Sequence, residues 1–359
     1  MKKLNMKTLA LILVLSLMGT LIGCQPKKET KEVTEAETTT RIFVDSAGRE
    51  VEIPKEIKKI APSGPLAQIV LYTICPDKLA GLSADFSEEA KEMIDEKYWN
   101  LPKFGQFYGK NASLNMEALM QEAPDVVIDI GEAKDTVKAD MDALQEQIGI
   151  PVLFIEATLS TMENAYTLLG DLTGEEEQAE KLGSYCKDVM TRAASGVESI
   201  KAENKKSVYF ALGDSGFHTN AKGSFHAEVL DVIGAENAAD VEMASGGGGS
   251  EVSFEQVLLW QPDVIIVDTQ SLYDQLIKDP IWQDLDAVKN GNIYKIPTIP
   301  YNFMSSPPSV NRMIGVDWLG NLVYPEIFKE DISTKVKEFY SLFYHIDLTP
   351  DQMNTVLGR

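Results

Sequence analysis

The sequence predicts an α/β protein of two Rossmann-like lobes, each built on a mostly parallel sheet and joined by a long connecting helix. Three observations predict it. Short, continuous apolar runs at 126–130 and 152–155 alternate with helical patterns, and such runs are the mark of buried parallel strands. The alternation occurs twice, on either side of a long helical stretch from Met162 to about Lys201. Residues 115–128 also recur as residues 253–266, with Glu117, Pro124 and Asp125 in step with Glu255, Pro262 and Asp263, 138 residues on.

Taken in order, residues 1–23 begin with Lys2, Lys3 and Lys7, continue as an apolar run from Leu9 to about Met18, and end Leu21-Ile22-Gly23 before Cys24. This is the pattern of a secretory signal peptide, too short for a spanning helix. Its ending resembles the bacterial lipobox, which implies a lipid on Cys24 and an extracytoplasmic protein anchored to the cell membrane. Residues 24–40 are rich in Lys, Glu and Thr, with Val33 the one large apolar residue after Cys24. Such a composition cannot offset its chain entropy by burial, so it reads as a disordered tether.

Residues 41–157 read as the N-terminal lobe. Strands are expected at 57–61, 126–130 and 152–155, and helices at 65–74, 88–96, 116–122 and 136–148. Residues 158–204 form the connecting region. Gly174 ends one helix there, and the next could run twenty or more residues as a stiff strut. Residues 205–359 read as the C-terminal lobe, with strands at 208–212, 264–267 and 293–296 and helices at 225–233, 254–260 and 282–288. In each repeat a short helix ends before Pro-Asp and feeds a buried strand, as proline stops a helix and presets the extended entry.

Composition narrows the function. The chain has 359 residues, long enough for two cores, and 55 acidic against 33 basic side chains give a net charge of -22. That field disfavours nucleic acid. Three cysteines cannot make a disulfide framework, and Cys75 and Cys186 read as buried or unpaired thiols. Gly213-Asp214-Ser215-Gly216 is similar to a trypsin-like nucleophile segment, but Phe217 stands where glycine would follow and all three histidines come later in the chain. No phosphate loop, nucleophile elbow or His-Glu-x-x-His occurs, so no enzyme is expected.

Lipobox, tether, lobe, long helix and second lobe together resemble the substrate-binding lipoproteins of bacterial ABC importers, within the helical-backbone class that carries iron–siderophores, haem and cobalamin. The resemblance covers about residues 41–345. It rests most on Asn115-Met116-Glu117-Ala118-Leu119 with Pro124-Asp125, and on Ser253-Phe254-Glu255-Gln256-Val257-Leu258 with Pro262-Asp263. Gly223-Ser224-Phe225-His226, Gly234-Ala235-Glu236-Asn237 and 287–291 also match. It implies a monomer that delivers its cargo to a permease and its ATPase subunits, with Glu117 and Glu255 docking to permease arginines. By themselves those two residues are also suited to stabilising a helix N-terminus.

In an open α/β sheet the ligand sits beyond the carboxyl ends of the strands, so two lobes share a cleft between them. The candidate ligand-binding residues are Tyr108, Phe217, His218, His226, Tyr301, Asn302 and Arg312. Arg312 offers a fork of donors to an oxyanion or catecholate, or a salt bridge to one of many carboxylates. Tyr108 and Tyr301 are able to stack on a ligand or to be half-buried aromatics. His218 and His226 lack the tight spacing of a metal site, and the resemblance implies that a chelator holds any metal. Residues 301–312 carry two adjacent prolines that stiffen the segment. Residues 245–250 are flexible by composition, as a cleft lip or a surface loop.

The cargo expected first is an iron complex such as a ferric siderophore, with no resident cofactor or protein-held metal. An anionic catecholate would need several basic groups, and the nominated loops offer mainly Arg312, Lys110 and Lys222. A hydroxamate or citrate-type complex, cobalamin, haem, a nickel chelate and molybdate or tungstate stay open. An extracellular signalling or adhesion lipoprotein without cargo is the rival, and it would not need the duplicated glutamates.

Overall fold

The computed structural model describes residues 39–109, 111–244 and 249–359. The expected leader, Cys24, residues 25–38 of the tether, Lys110 and residues 245–248 of the glycine run lie outside them. Thr40–Arg359 form one compact unit.

The unit opens with a hairpin of β1 (Thr40–Val44) and β2 (Glu50–Pro54), an element absent from the sequence reading. Arg49 fastens it to the first lobe by donating to Asp45, Asp142 and the carbonyl of Val152. The first sheet follows as β3 (Ile60–Pro62), β4 (Val126–Gly131) and β5 (Val152–Glu156), parallel and in that order. All of β4 is buried, which is why it reads as an unbroken apolar run. Helices α1 (Pro65–Ile74), α2 (Glu88–Lys91), α3 (Met116–Glu122) and α4 (Val137–Ile148) surround these strands. The helical pattern at 88–96 gives only the short α2 and a 3₁₀ turn at Glu96–Tyr98, because Asp95 accepts the amide of Lys97 and restarts the chain.

Helices α5 (Met162–Thr173) and α6 (Glu176–Val197) form the connection, with Gly174 left-handed between them at φ 73°. The strut is therefore α6, 22 residues long, laid against α5. Contact is close at Gly170, where a Cβ would lie 2.6 Å from that of Ala179.

The second lobe contains β6 (Ser207–Ala211), β7 (His218–Thr219), α7 (Glu228–Val232), β8 (Glu236–Asn237) and β9 (Ser250–Glu251). It continues through α8 (Phe254–Trp260), β10 (Val264–Val267), α9 (Gln270–Leu276), α10 (Asp286–Lys289) and β11 (Ile293–Lys295). Its parallel sheet runs β11-β10-β6-β8, and β7 and β9 make a small antiparallel ladder.

The repeat has a mechanical basis. Asn115 caps α3 and Ser253 caps α8 by accepting amides of the first turn. Both helices end on a left-handed non-glycine residue, Ala123 at φ 47° and Gln261 at φ 42°. The aspartate after each proline then pins the neighbouring strand. Asp125 accepts the amides of Lys58 and Lys59 before β3, and Asp263 accepts the amide of Ser207 at the start of β6.

Residues after Asn311, counted with the C-terminal lobe from the sequence, turn back across both halves as α11 (Arg312–Val323), α12 (Ile332–Phe343) and α13 (Pro350–Leu357). Helix α12 packs against α1, α6 and α11. Phe339 and Phe343 stack at 4.4 Å, Tyr185 meets Phe343 at 5.2 Å, and the side-chain amide of Gln352 donates to the carbonyl of Glu92. One apolar core thus runs through α1, α5, α6, α11 and α12. The lobes are joined by this layer as well as by the strut.

Cys75 and Cys186 are buried and unpaired in it, and burial pushes the Cys75 thiol up to about 12. Among the described residues no helix is long and apolar enough to cross a membrane.

Helix α11 rests on the preceding loop at Gly315, where a Cβ would lie 2.0 Å from the carbonyl oxygen of Phe303. Gly315→Ala is expected to cost about 3 kcal/mol, since a clash with backbone cannot be relieved by a rotamer change. Urea unfolding reads this as a lower midpoint at constant m-value; an unchanged midpoint would mean that α11 is free to shift.

Candidate functional site

A cleft of about 1070 Å³ opens beyond the C-terminal end of β4, the position where parallel sheets place ligands. Its first wall comes from the N-terminal lobe: Gln106 and Tyr108, Asp129 in β4, Glu132 and Lys134 just after it, and Asp140 in α4. The facing wall carries Asn220, Ser224, Phe225 and His226 from the segment between β7 and α7, with Pro308 at its edge.

Asp129 is the floor of the first wall. It is buried, yet both carboxylate oxygens are used: Ser63 Oγ donates to Oδ1, and the Tyr108 hydroxyl donates to Oδ2 at 2.7 Å. Burial pushes this carboxyl above its usual range, opposed by the two hydroxyl donors. The Tyr108 hydroxyl is pushed up as well, by its own burial and by the neighbouring carboxylate. Tyr108 is therefore a fixed phenol, 38% exposed, whose ring forms part of the cleft surface while its proton is held by Asp129.

On the opposite wall, His226 Nδ1 lies 3.1 Å from the carbonyl oxygen of Ser305. A carbonyl only accepts, so Nδ1 carries the hydrogen and Nε2 of the neutral ring is left as an acceptor. Burial holds the imidazole below its usual value, with the bond to Ser305 opposing. The Asn220 amide donates to Ser305 Oγ, and Asn237 donates to the Asn220 carbonyl, so this wall is tied to the 299–311 loop and to β8.

Arg312 lies behind this wall rather than in it. Its side chain is 0% exposed; Nη1 donates to Glu228 at 2.7 Å and to the carbonyl of Phe225 at 2.8 Å. The Phe225 ring covers it, with the guanidinium carbon 4.2 Å from the ring centroid, and Nη2 has no partner. Burial lowers its pKa to about 10, against the pull of Glu228, so it stays charged at neutral pH. Of the two roles the sequence left open, the geometry places it in the salt bridge.

Of the expected ligand-binding residues, Tyr108 and His226 line the cleft. The others do not. Phe217 stacks on Trp282 at 5.5 Å in the second lobe's core, so its ring face is taken. His218 lies in β7, paired with Glu251 and packed beside Gly213. Tyr301 accepts a hydrogen bond from Gln68 against the shared core. Asn302 turns its carbonyl oxygen onto the amides of Met304 and Ser305, shaping the loop. Asp129, Glu132 and Asp140 were not nominated, although a lone carboxylate inside the apolar run Val126-Val127-Ile128-Asp129-Ile130 is a signal the sequence does carry. Among the described residues, no three His, Cys, Asp or Glu side chains converge as a metal cage.

The profile of the periplasmic binding protein family matches residues 93–300. The chain belongs to that family. An uncharacterized ABC transporter substrate-binding lipoprotein of Bacillus subtilis, YvrC, is 26% identical over 323 residues, which is 86% of this chain and 95% of the relative. The molybdate-binding protein MolA of Haemophilus influenzae is 24% identical over 339 residues, covering 87% of this chain and 93% of its own. The solved ABC transporter solute-binding protein of Sulfurospirillum deleyianum superposes with a TM-score of 0.83 at 29% identity, over 89% of this chain and 99% of that one. These relatives are solute-binding transport proteins.

The pH dependence of stability tests the Asp129 floor. A carboxyl whose folded pKa is raised binds more protons folded than unfolded, so its contribution is present below the unfolded value of about 3.9 and is lost as pH rises through the folded value. The stability of the native chain relative to Asp129→Asn is therefore expected to be greater at pH 4 than at pH 7. Equal differences in urea midpoint at the two pH values would show that Asp129 is not held in a desolvated state.

Proposed function

We propose that this substrate-binding protein of an ABC importer captures a bulky metal chelate, of the ferric siderophore type, outside the cell and hands it to the permease. The observation that carries the reading is the size and lining of the cleft. Organic ligands occupy pockets of ~300–1,000 Å³, whereas a bare ion or small oxyanion would leave a cleft of about 1070 Å³ mostly to water. Phe225 and Tyr108 supply aromatic surface, and Asn220, Ser224 and the free Nε2 of His226 supply polar contacts that orient a chelate bringing its own metal ligands. In this reading Cys24 carries the lipid, the residues between it and β1 are the tether, and the protein acts as a monomer.

Glu117 and Glu255 support delivery. Each is exposed, in the same place in its copy of the repeat, and neither pairs with a cation among the described residues. One turn on, Met120 and Leu259 are 56% and 83% exposed, so each helix offers a carboxylate beside an apolar side chain. A second reading, an oxyanion cargo, is favoured by the likeness to the molybdate-binding protein of Haemophilus influenzae.

Titration of the full-length chain in detergent, followed by intrinsic fluorescence, tests the cargo. Saturable sub-micromolar quenching by a ferric siderophore, haem or cobalamin is the expected result for a chelate carrier. Tight molybdate binding with no response to any chelate would instead establish the oxyanion reading. For delivery, the double variant Glu117→Ala/Glu255→Ala is expected to hold its cargo affinity within about twofold while losing uptake through the reconstituted importer. Undiminished uptake would return both residues to a helix-start role.

A further inference from the structure

We infer that the cleft sorts its cargo by charge, accepting a neutral or positively charged chelate and turning away an anionic one. The inference rests on the chelate-carrier reading above and names the class of chelate.

The two walls are electrostatically unlike. The N-terminal wall presents the exposed carboxylates of Glu132 and Asp140, with the buried Asp129 behind them already bonded to Ser63 and Tyr108, against Lys134, the one lysine or arginine lining the cleft among the described residues. The opposite wall presents amide, hydroxyl, phenyl and neutral imidazole groups. Two cations near that wall are already occupied. Arg312 is held by Glu228 at 2.7 Å and roofed by the Phe225 ring at 4.2 Å, and Lys222 pairs with Asp240 at 3.3 Å. Neither is among the residues lining the cleft.

Glu132 is the residue best placed to read charge. It lies on the rim, exposed, with no hydrogen-bond or ion-pair partner among the described side chains. It and Lys134 both lie close enough to act electrostatically on His226, in opposite directions, and Glu132 also acts on Arg312. A ligand lying between the walls therefore meets Lys134, which is likewise unpaired among the described side chains, and the free Glu132 carboxylate. Asp140 reinforces it from α4, with its orientation fixed by the Thr136 hydroxyl at 2.8 Å. In a cleft with low-dielectric walls such like-signed groups focus their field on the space between them. A tris-catecholate ferric complex, with three negative charges, meets repulsion there. A neutral trihydroxamate complex does not, and an ammonium group on its periphery gains an acceptor.

The test is a charge series at constant metal. The full-length chain is titrated in detergent at low ionic strength, where screening is weakest. The probes are a neutral ferric trihydroxamate, the same complex bearing a terminal ammonium, and a trianionic ferric tris-catecholate. The neutral and cationic complexes are expected to bind at least about tenfold more tightly than the trianion. In Glu132→Gln/Asp140→Asn the affinity for the trianion relative to that for the neutral complex should rise about tenfold. A trianion that binds the native chain as tightly as the neutral complex, or a ratio the double variant leaves unmoved, overturns charge sorting and leaves the chelate carrier standing. If no ferric complex of any charge binds to folded protein, the ferric cargo falls and this inference with it.

Discussion

The Arg312 guanidinium holds three parts of the chain that are far apart in sequence. It stands at the start of α11, donates to the Phe225 carbonyl of the cleft wall, and pairs with Glu228 of α7. Glu228 in turn accepts the amide of Leu159, where the chain leaves β5 on its way to α5. A buried cation without its counter-charge would cost several kcal/mol, so Glu228 cannot leave without Arg312 becoming a liability. One ion pair, with its arginine fully buried, thereby connects one cleft wall to the first lobe. The same pair decides the chemistry of that wall, because the cation it holds is withdrawn from the ligand.

Around this pair the helices α1, α5, α6, α11 and α12 form a continuous apolar layer beneath the cleft. Close-packed interiors deform little, and this layer is shared by both lobes. A cleft built on such a base is largely preformed, which lowers the ordering cost of binding. Asp125 and Asp263 repeat the principle on a smaller scale, each tying a helix end to a neighbouring strand so that α3 and α8 present their glutamates from fixed positions.

The cleft's two walls come by different routes. The acidic wall is mostly local, since Asp129, Glu132 and Asp140 lie within one strand, its exit and the next helix. The neutral wall is assembled over long range, from a segment at 220–226 braced by Ser305 and by Arg312. Nothing near Phe225 in sequence indicates that an arginine more than eighty residues later will lie behind it.

That difference also separates what the sequence determined from what the fold decided. The buried strands β4 and β10, the short helices α3 and α8, the break at Gly174 and the long α6 were legible because periodicity, caps and proline act within a few residues. Tyr108 and His226 were legible as cleft residues because parallel sheets put the loops after strands around the ligand. The roles of Phe217, Tyr301, Asn302 and Arg312 were not, since aromatic, amide and guanidinium groups serve a ligand or a core equally well and only distant partners choose between them. Trp282 takes Phe217, Gln68 takes Tyr301, and Glu228 takes Arg312. Likewise only tertiary packing sends α11, buried on nearly every side, and α12 back across both lobes. Local chemistry fixed the elements and the repeat; the partners of the buried polar groups, which depend on contacts far apart in the chain, fixed the site.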